Sequence, residues 1–347
     1  MNRFRAPVFI TALTAVAVTP ATAADDSGYD RVWQHANLYQ SESGTLRSLA
    51  LSGRLQADAS YFDADEGDFD DISWRRLRFG FTAKFANHWK AQLEGDFDLN
   101  EWPPGEWYNR LTDAYVGWNP DKSRDLRILK HSAGFTLDGA TSSKKLLTLQ
   151  RNNLTNNLWF TAEYFTGISM QGETDDHWNY RVGVFSSDGN DEWSKFDAGY
   201  FTLTSLGYNW ASALDMDNAS VRLDYVYNQR DTDANTRDLS NVVTLSTQWE
   251  QGNWGLWTDL GSGRGYFQQP DIIGLTLMPF YNLTERLQFL FRYTWLDSDG
   301  DNGLRLGRYE NAVVDGRGDR YNEYYLGANL FFYGHKLKWQ TGLQYAE

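Results

Sequence analysis

Basic side chains recur at alternate positions in the first third of the sequence. Arg54 stands between Gly53 and Leu55, and Arg76 and Arg78 flank Leu77. A guanidinium offers planar paired donors that suit phosphate oxygens, and several of them along a narrow pore let an anion move between sites. The pattern therefore indicates anion binding or conduction, if one structure holds these residues on a common polar face.

The element that would hold them is a β-hairpin. From Arg76 to Phe85 charged or small residues alternate with apolar ones, and after a short turn the alternation resumes from Trp89 to Leu99. A period of two is typical of a strand with one polar and one apolar face. Because this pattern repeats along the chain, the sequence predicts an all-β fold, a transmembrane antiparallel β-barrel whose apolar face meets outer-membrane lipid and lipopolysaccharide.

Composition agrees with a barrel and excludes several other classes. The 347 residues include 15 Trp, 20 Tyr and 20 Phe, and membrane interfaces are enriched in aromatic residues. Beyond the N-terminus there is no apolar run long enough for a transmembrane helix. The net charge of −14 argues against nucleic acid as a partner. Because the sequence has no cysteine and only five scattered histidines, it predicts no metal site and no cofactor. It also predicts no catalytic arrangement of serine, aspartate and histidine.

The N-terminus resembles an export signal. Arg3 and Arg5 precede an apolar run from Ala6 to Val18, and small residues from Ala21 to Ala23 form a cleavage site. We therefore predict a signal peptide at residues 1–23, a polar periplasmic segment at residues 24–46 and one barrel domain at residues 47–347. Export together with barrel strands places the protein in the bacterial outer membrane.

Long polar links alternate with short ones along the barrel domain, as expected for outer loops and periplasmic turns. An acidic link from Phe62 to Ser73 is predicted to be an outer loop, and the longest link runs from Thr136 to Asn157. Counting in this way gives fifteen strands, an odd number. Bacterial barrels normally have an even number, so either two strands have been merged or a final strand is missing.

The predicted polar faces of the strands carry much of the positive charge. They include Arg54, Arg76, Arg78, Lys84, Lys90, Arg181, Arg222, Arg286, Arg292, Lys336 and Lys338. Two interpretations remain open. The basic groups could line an anion channel, or they could pair with inward acids such as Asp58, Glu94, Asp96 and Asp98 and stiffen the wall. In the second case the protein would be a structural or adhesive barrel without a conducting pore.

Several motifs together resemble the phosphate-selective porin family, the porins O and P. They are the segments 53–56, 75–80 and 111–116, the long segment from Phe135 to Arg151, and the segments 183–185 and 325–330. The sequence departs from the family pattern by lacking a proline before Phe135 and by having Gln150 where a glutamate is usual. The fourth segment coincides with the longest predicted link.

The resemblance implies a trimeric porin of about 16 strands whose third outer loop folds into the channel. Basic side chains at the constriction would bind and pass inorganic phosphate, polyphosphate or other small anions. On matching positions these are Arg54, Arg75 and Arg76, with Arg78 on the same strand as the last two. Lys130, Lys144 and Lys145 lie before and within the inferred constriction loop.

Overall fold

A computed structural model describes residues 8–17, 28–100, 107–189 and 192–347. The strands are β1 (Val8–Ala17), β2 (Asn37–Gln40), β3 (Leu46–Ala64), β4 (Gly67–Phe85), β5 (Trp89–Phe97), β6 (Tyr108–Asp121), β7 (Arg124–Ser132), β8 (Tyr164–Glu173), β9 (Trp178–Ser186), β10 (Tyr200–Asn209), β11 (Asn218–Asn228), β12 (Leu239–Gln251), β13 (Trp254–Gly265), β14 (Ile272–Asn282), β15 (Leu287–Ser298), β16 (Arg320–Tyr333) and β17 (Leu337–Ala346). The short α-helices are α1 (Gly28–Trp33), α2 (Leu137–Ala140), α3 (Asn153–Leu158) and α4 (Ala211–Leu214), and 3-10 turns cover Gln34–Ala36, Ala86–His88 and Glu310–Ala312. No helix in the described ranges is long and apolar enough to cross a membrane.

The strands from β3 to β17 form an antiparallel series in which each pairs with the next along the chain. This series has the fifteen members expected from the sequence. It does not close on itself, because β17 and β3 are both hydrogen-bonded to β1, which lies between them as a sixteenth strand. The all-β antiparallel barrel prediction is confirmed.

The N-terminal boundaries remain predictions. Strand β1 belongs to the predicted signal peptide, whose other residues, including the cleavage site, lie outside the described ranges. The predicted periplasmic segment contains α1 and β2, and β2 pairs with the start of β3 from Ser48 to Ala50.

Alternation places apolar side chains outside the barrel and polar ones inside. On β4 Phe79 is 48% exposed whereas Arg78 is 3% exposed, and on β5 Leu93 is 53% exposed whereas Glu94 is 1% exposed. Hydrocarbon provides no partner for a charge, so the charged face of each strand must turn toward the interior.

The first hairpin is longer than expected. The prediction of an acidic outer loop from Phe62 to Ser73 is wrong, because β3 and β4 stay paired up to Ala64 and Gly67 and leave a turn of only Asp65 and Glu66. Phe62 and Ala64 continue the inward face of β3 and pack in an apolar cluster with loop residues. That burial stabilises strand pairing through a segment whose acidic composition suggested a loop.

Two outer connections fold into the barrel. Residues 133–163, here called loop 3, join β7 to β8, and residues 299–319, here called loop 7, join β15 to β16. Phe135, Leu154 and Phe160 of loop 3 are fully buried against the inner faces of neighbouring strands. The inward fold of the third outer loop is therefore confirmed, whereas that of loop 7 was not expected from the sequence.

Candidate constriction site

An irregularity in β4 determines which arginines face the lumen. Gln56 pairs with Arg76 and Ala57 pairs with Trp74, so Arg75 is an extra residue without a partner on β3. Such a bulge shifts the alternation by one residue. Trp74 remains outside, while the side chains of Arg75, Arg76 and Arg78 all line one interior cavity.

Two buried carboxylates and one partly buried guanidinium on the wall hold the first half of loop 3. Asp224 on β11 accepts the Thr136 amide N–H at 3.0 Å, and Asp259 on β13 accepts the Leu137 amide N–H at 2.8 Å. The Thr136 carbonyl accepts from Arg222 Nη2 at 2.7 Å. Thr136 has a φ of 64°, a region that β-branched residues rarely adopt, and these bonds fix it there.

Strands β15 to β17 hold the second half of loop 3. Arg292 Nη1 donates to Thr148 Oγ1 and to the Gln150 carbonyl, both at 2.9 Å. The Leu147 carbonyl accepts from Asn329 Nδ2 at 2.8 Å, and the Leu146 carbonyl accepts from Lys338 Nζ at 2.6 Å. The loop is thus fixed by the barrel on both sides of its tip.

Loop 3, loop 7 and the wall enclose a cavity of about 380 Å³. Six arginines line it: Arg75, Arg76, Arg78, Arg110, Arg151 and Arg308. Its acidic lining residues are Asp96, Glu163, Glu310 and Glu323. Guanidinium groups therefore outnumber carboxylates in the lining of this cavity.

Three of the six arginines are paired with carboxylates. Arg75 Nη1 lies 3.3 Å from Asp58 Oδ2, Arg78 Nε lies 3.4 Å from Asp96 Oδ2, and Arg151 Nη2 lies 3.6 Å from Glu163 Oε1. Burial alone would raise the pKa of the Glu163 carboxyl, but Arg151 and Arg78 outweigh it and lower the pKa to about 2. Glu163 thus stays ionised and offsets part of the positive charge.

The other three arginines of the cavity, Arg76, Arg110 and Arg308, have no carboxylate within 4 Å among the described residues. Arg76 Nη1 donates to the amide oxygen Gln56 Oε1 at 2.8 Å, and Arg110 Nη1 donates to the Ala162 carbonyl at 2.8 Å. The Arg308 guanidinium lies 5.9 Å from the centre of the Tyr309 ring. Their charge is available to an anion in the cavity.

The remaining basic residues predicted from the sequence lie in different places. Arg54 donates to Ser143 Oγ on the tip of loop 3 and lies 3.7 Å from Glu94. Lys144 is partly buried beside it, and Lys145 is exposed. Burial, followed by the Arg54 charge, lowers the pKa of the Lys144 ammonium to about 8.

Lys130 is set apart from these groups. It is 1% exposed on β7, and its ammonium lies 3.7 Å from Glu192 of the loop between β9 and β10. It does not line the arginine-rich cavity in the described part of the chain. The structure therefore brings together Arg75, Arg76 and Arg78, places Arg54 with Lys144 across the loop 3 tip, and leaves Lys130 elsewhere.

Basic residues continue beyond this cavity. A second cavity of about 220 Å³ shares Glu163 with the first and includes Arg54, Arg127 and Arg181. A third of about 440 Å³ shares Gln171 and Arg181 with the second and includes Arg222 and Lys122. Each cavity thus shares lining residues with the next, and each contains arginines.

Sequence reasoning missed Arg110, Arg151 and Arg308. Arg151 ends the long motif from Phe135 and could have been included with it. Arg110 is the third residue of β6 and pairs with Asp96 of β5. Arg308 had no sequence signal, because its position depends on how loop 7 folds.

A barrel of antiparallel strands with an inward third loop and a charged lumen defines the porin class of outer-membrane channel. The model of the family "Phosphate-selective porin O and P" matches residues 49–264, and the chain belongs to that family. Family and fold together identify an outer-membrane porin, a channel rather than an enzyme.

The chain is similar to several solved outer-membrane proteins over its full length. A loop-deletion mutant of the outer-membrane protein OmpT of Vibrio cholerae has 9% identity and a TM-score of 0.51, over 100% of this chain and 99% of that one. An anion-selective porin from Comamonas acidovorans has 12% identity and a TM-score of 0.49, over 100% of both chains. No curated protein matches the sequence.

Proposed function

We propose that this porin is selective for anions and that phosphate or polyphosphate is its preferred solute. The observation that carries the proposal is the set of six arginines around one cavity of about 380 Å³. Arg76, Arg110 and Arg308 keep charges that no described carboxylate within 4 Å offsets. An oxyanion entering the cavity would receive charge-assisted hydrogen bonds from them.

Passage requires that binding be followed by release. The successive cavities provide this, because an anion leaving the first meets Arg54 and Arg181 in the second and Arg181 and Arg222 in the third. Sites of similar chemistry along a pore let an ion move without a deep energy minimum. Lys144 beside Arg54, and Lys145 close to the loop 3 tip, add positive charge there.

We further propose that the chain is exported by residues 1–23, that it contacts lipid and lipopolysaccharide with its apolar face, and that it forms a homotrimer. Purified protein should then migrate as a trimer on gels before boiling and as a monomer after boiling. Migration as a monomer at low detergent before boiling would contradict the trimer.

The test of selectivity is the zero-current potential of the protein in a planar bilayer with a KCl gradient, followed by titration with phosphate. Arg76→Gln removes one guanidinium that has no carboxylate within 4 Å among the described residues. A hydrogen bond to a charged group contributes about 1.5–3 kcal/mol, so the phosphate concentration that halves the chloride current should rise at least about tenfold.

Arg286→Gln is the matched control, because Arg286 lies exposed in the turn after β14 and its loss changes net charge equally. Neutralising the exposed residues Asp63, Asp65, Asp68 and Asp70 should also have little effect, since solvent and salt screen them. Cation preference, or absence of conductance in the unmodified protein, would contradict the proposal and favour a structural or adhesive barrel. Equal effects of Arg76→Gln and Arg286→Gln would show that the constriction lies elsewhere.

A further inference from the structure

Loop 7 buries several of its apolar side chains inside the barrel. Leu304, Leu306, Tyr309 and Val314 are all at most 8% exposed. Most of them pack in one apolar cluster with Phe62 of the wall and with Leu147 and Leu149 of loop 3. An outer loop that only covers the surface would not bury this much apolar area, so loop 7 has a fixed internal position.

Polar bonds hold the loop on either side of Arg308. The Tyr309 hydroxyl donates to Asp58 Oδ2 at 2.7 Å, the same oxygen that Arg75 Nη1 approaches at 3.3 Å. Glu310 Oε1 accepts from the Tyr321 hydroxyl at 2.6 Å, and Glu310 Oε2 accepts from the Gly307 amide N–H at 2.7 Å. Arg308 therefore lies between two fixed neighbours.

Loop 7 is also joined to loop 3. Asn153 Nδ2 donates to the Arg305 carbonyl at 3.0 Å, and Asn156 Nδ2 donates to the Leu306 carbonyl at 2.9 Å. These bonds make the two loops one internal assembly. The position of Arg308 is thus set by the wall, by loop 3 and by its own loop.

Arg308 and Arg75 both line the arginine-rich cavity, close enough for their charges to interact. The shared Asp58 oxygen brings Tyr309, the next residue after Arg308, close to Arg75. The Arg75 charge, followed by burial, lowers the pKa of the Arg308 guanidinium. Two like charges at one cavity repel each other, and a bound dianion would remove that repulsion.

We propose that Arg308 is a specificity-determining residue that works with Arg75 to bind a doubly charged oxyanion, and that Tyr309 is the positioning residue for it. Loop 7 is then a second constriction loop, beside loop 3. This inference rests on the proposed anion selectivity and names the residues that distinguish a dianion from chloride.

The experiment uses the full chain in planar bilayers and measures two quantities for each variant. The zero-current potential in KCl reports anion selectivity itself, and the phosphate concentration that halves the chloride current reports dianion binding. Arg308→Gln should raise the second quantity about tenfold while the channel stays anion-selective, because the other five arginines remain.

Arg317→Gln is the matched control on the same loop. Arg317 is exposed and donates to Gln269 Oε1 at 2.9 Å, outside the cavity. Its substitution should leave the half-blocking phosphate concentration unchanged. Arg308→Lys keeps the charge but loses the planar donor pair, so it should weaken phosphate block and keep anion selectivity in KCl. This variant replaces Arg308→Gln in the experiment if Arg308→Gln does not fold.

Tyr309→Phe removes only the hydroxyl that bonds to Asp58. It should weaken phosphate block in the natural background and have no further effect when Arg308→Gln is already present. The inference would be overturned if phosphate block were unchanged in Arg308→Gln, or if Arg317→Gln changed it equally. It would also be overturned if Tyr309→Phe weakened phosphate block to the full extent in a protein that already carries Arg308→Gln. A natural channel that prefers cations would instead overturn the proposed function, and this inference with it.

Discussion

The ion pair between Arg292 and Glu323 gives the sharpest prediction about the inward fold of loop 3. Arg292 Nε lies 2.7 Å from Glu323 Oε1, and the two side chains are 1% and 3% exposed. The same guanidinium donates to Thr148 and Gln150 of loop 3. Arg292→Met keeps most of the volume but removes the charge and both loop bonds.

The expected cost follows from burial. Unit charges about 4 Å apart attract by about 4 kcal/mol at an effective dielectric constant of about 20. Removing one partner of a buried pair typically costs about 3–5 kcal/mol, because the other charge stays buried without compensation. We therefore expect Arg292→Met to lower the free energy of unfolding by about 3–5 kcal/mol. Glu323→Gln added to it should recover a large part, since no charge then remains unpaired.

Urea unfolding of the folded protein in lipid vesicles, followed by tryptophan fluorescence, measures these free energies for the natural chain, both single variants and the double variant. Single-channel recording of Arg292→Met should also show a larger conductance, because loop 3 loses two bonds to the wall. If Glu323→Gln recovers none of the loss, the effect does not come from an unpaired buried charge and the reasoning fails.

Two further predictions concern Glu310 and β1. Burial raises the pKa of the Glu310 carboxyl to about 7, so the folded state holds this proton more tightly than the unfolded state, and stability should fall as pH rises from about 5 to 8. The unfolding midpoint measured across that range should lose this slope in Glu310→Gln; an unchanged slope would assign it to another group. Export would remove β1 together with the proposed signal peptide, and unpaired backbone groups on β3 and β17 are costly in hydrocarbon, so protein that lacks residues 1–23 should refold with β3 and β17 paired directly and with the same yield as the full chain. A gel of unboiled samples measures that yield, and a lower yield without residues 1–23 would mean that β1 is part of the mature barrel.

The sequence by itself determined the barrel and the inward face of its strands. Alternation has a period of two, and one face must avoid charge where it meets lipid, so Arg54, Arg76 and Arg78 could be placed inside from their spacing alone. Loop 3 was identifiable because it is the longest link and because its motif resembles that of a known family.

Only the tertiary structure decided which basic residues meet. Arg75 turns inward because of a bulge in β4, and strict alternation would have turned it toward lipid. Arg110, Arg151 and Arg308 come from a wall strand and two different loops, and they share a cavity only because both loops fold inward. Lys130 instead contacts Glu192, which belongs to the loop between β9 and β10 and is distant from Lys130 in the sequence. Such contacts depend on the path of the chain between strands, which local sequence periodicity does not encode.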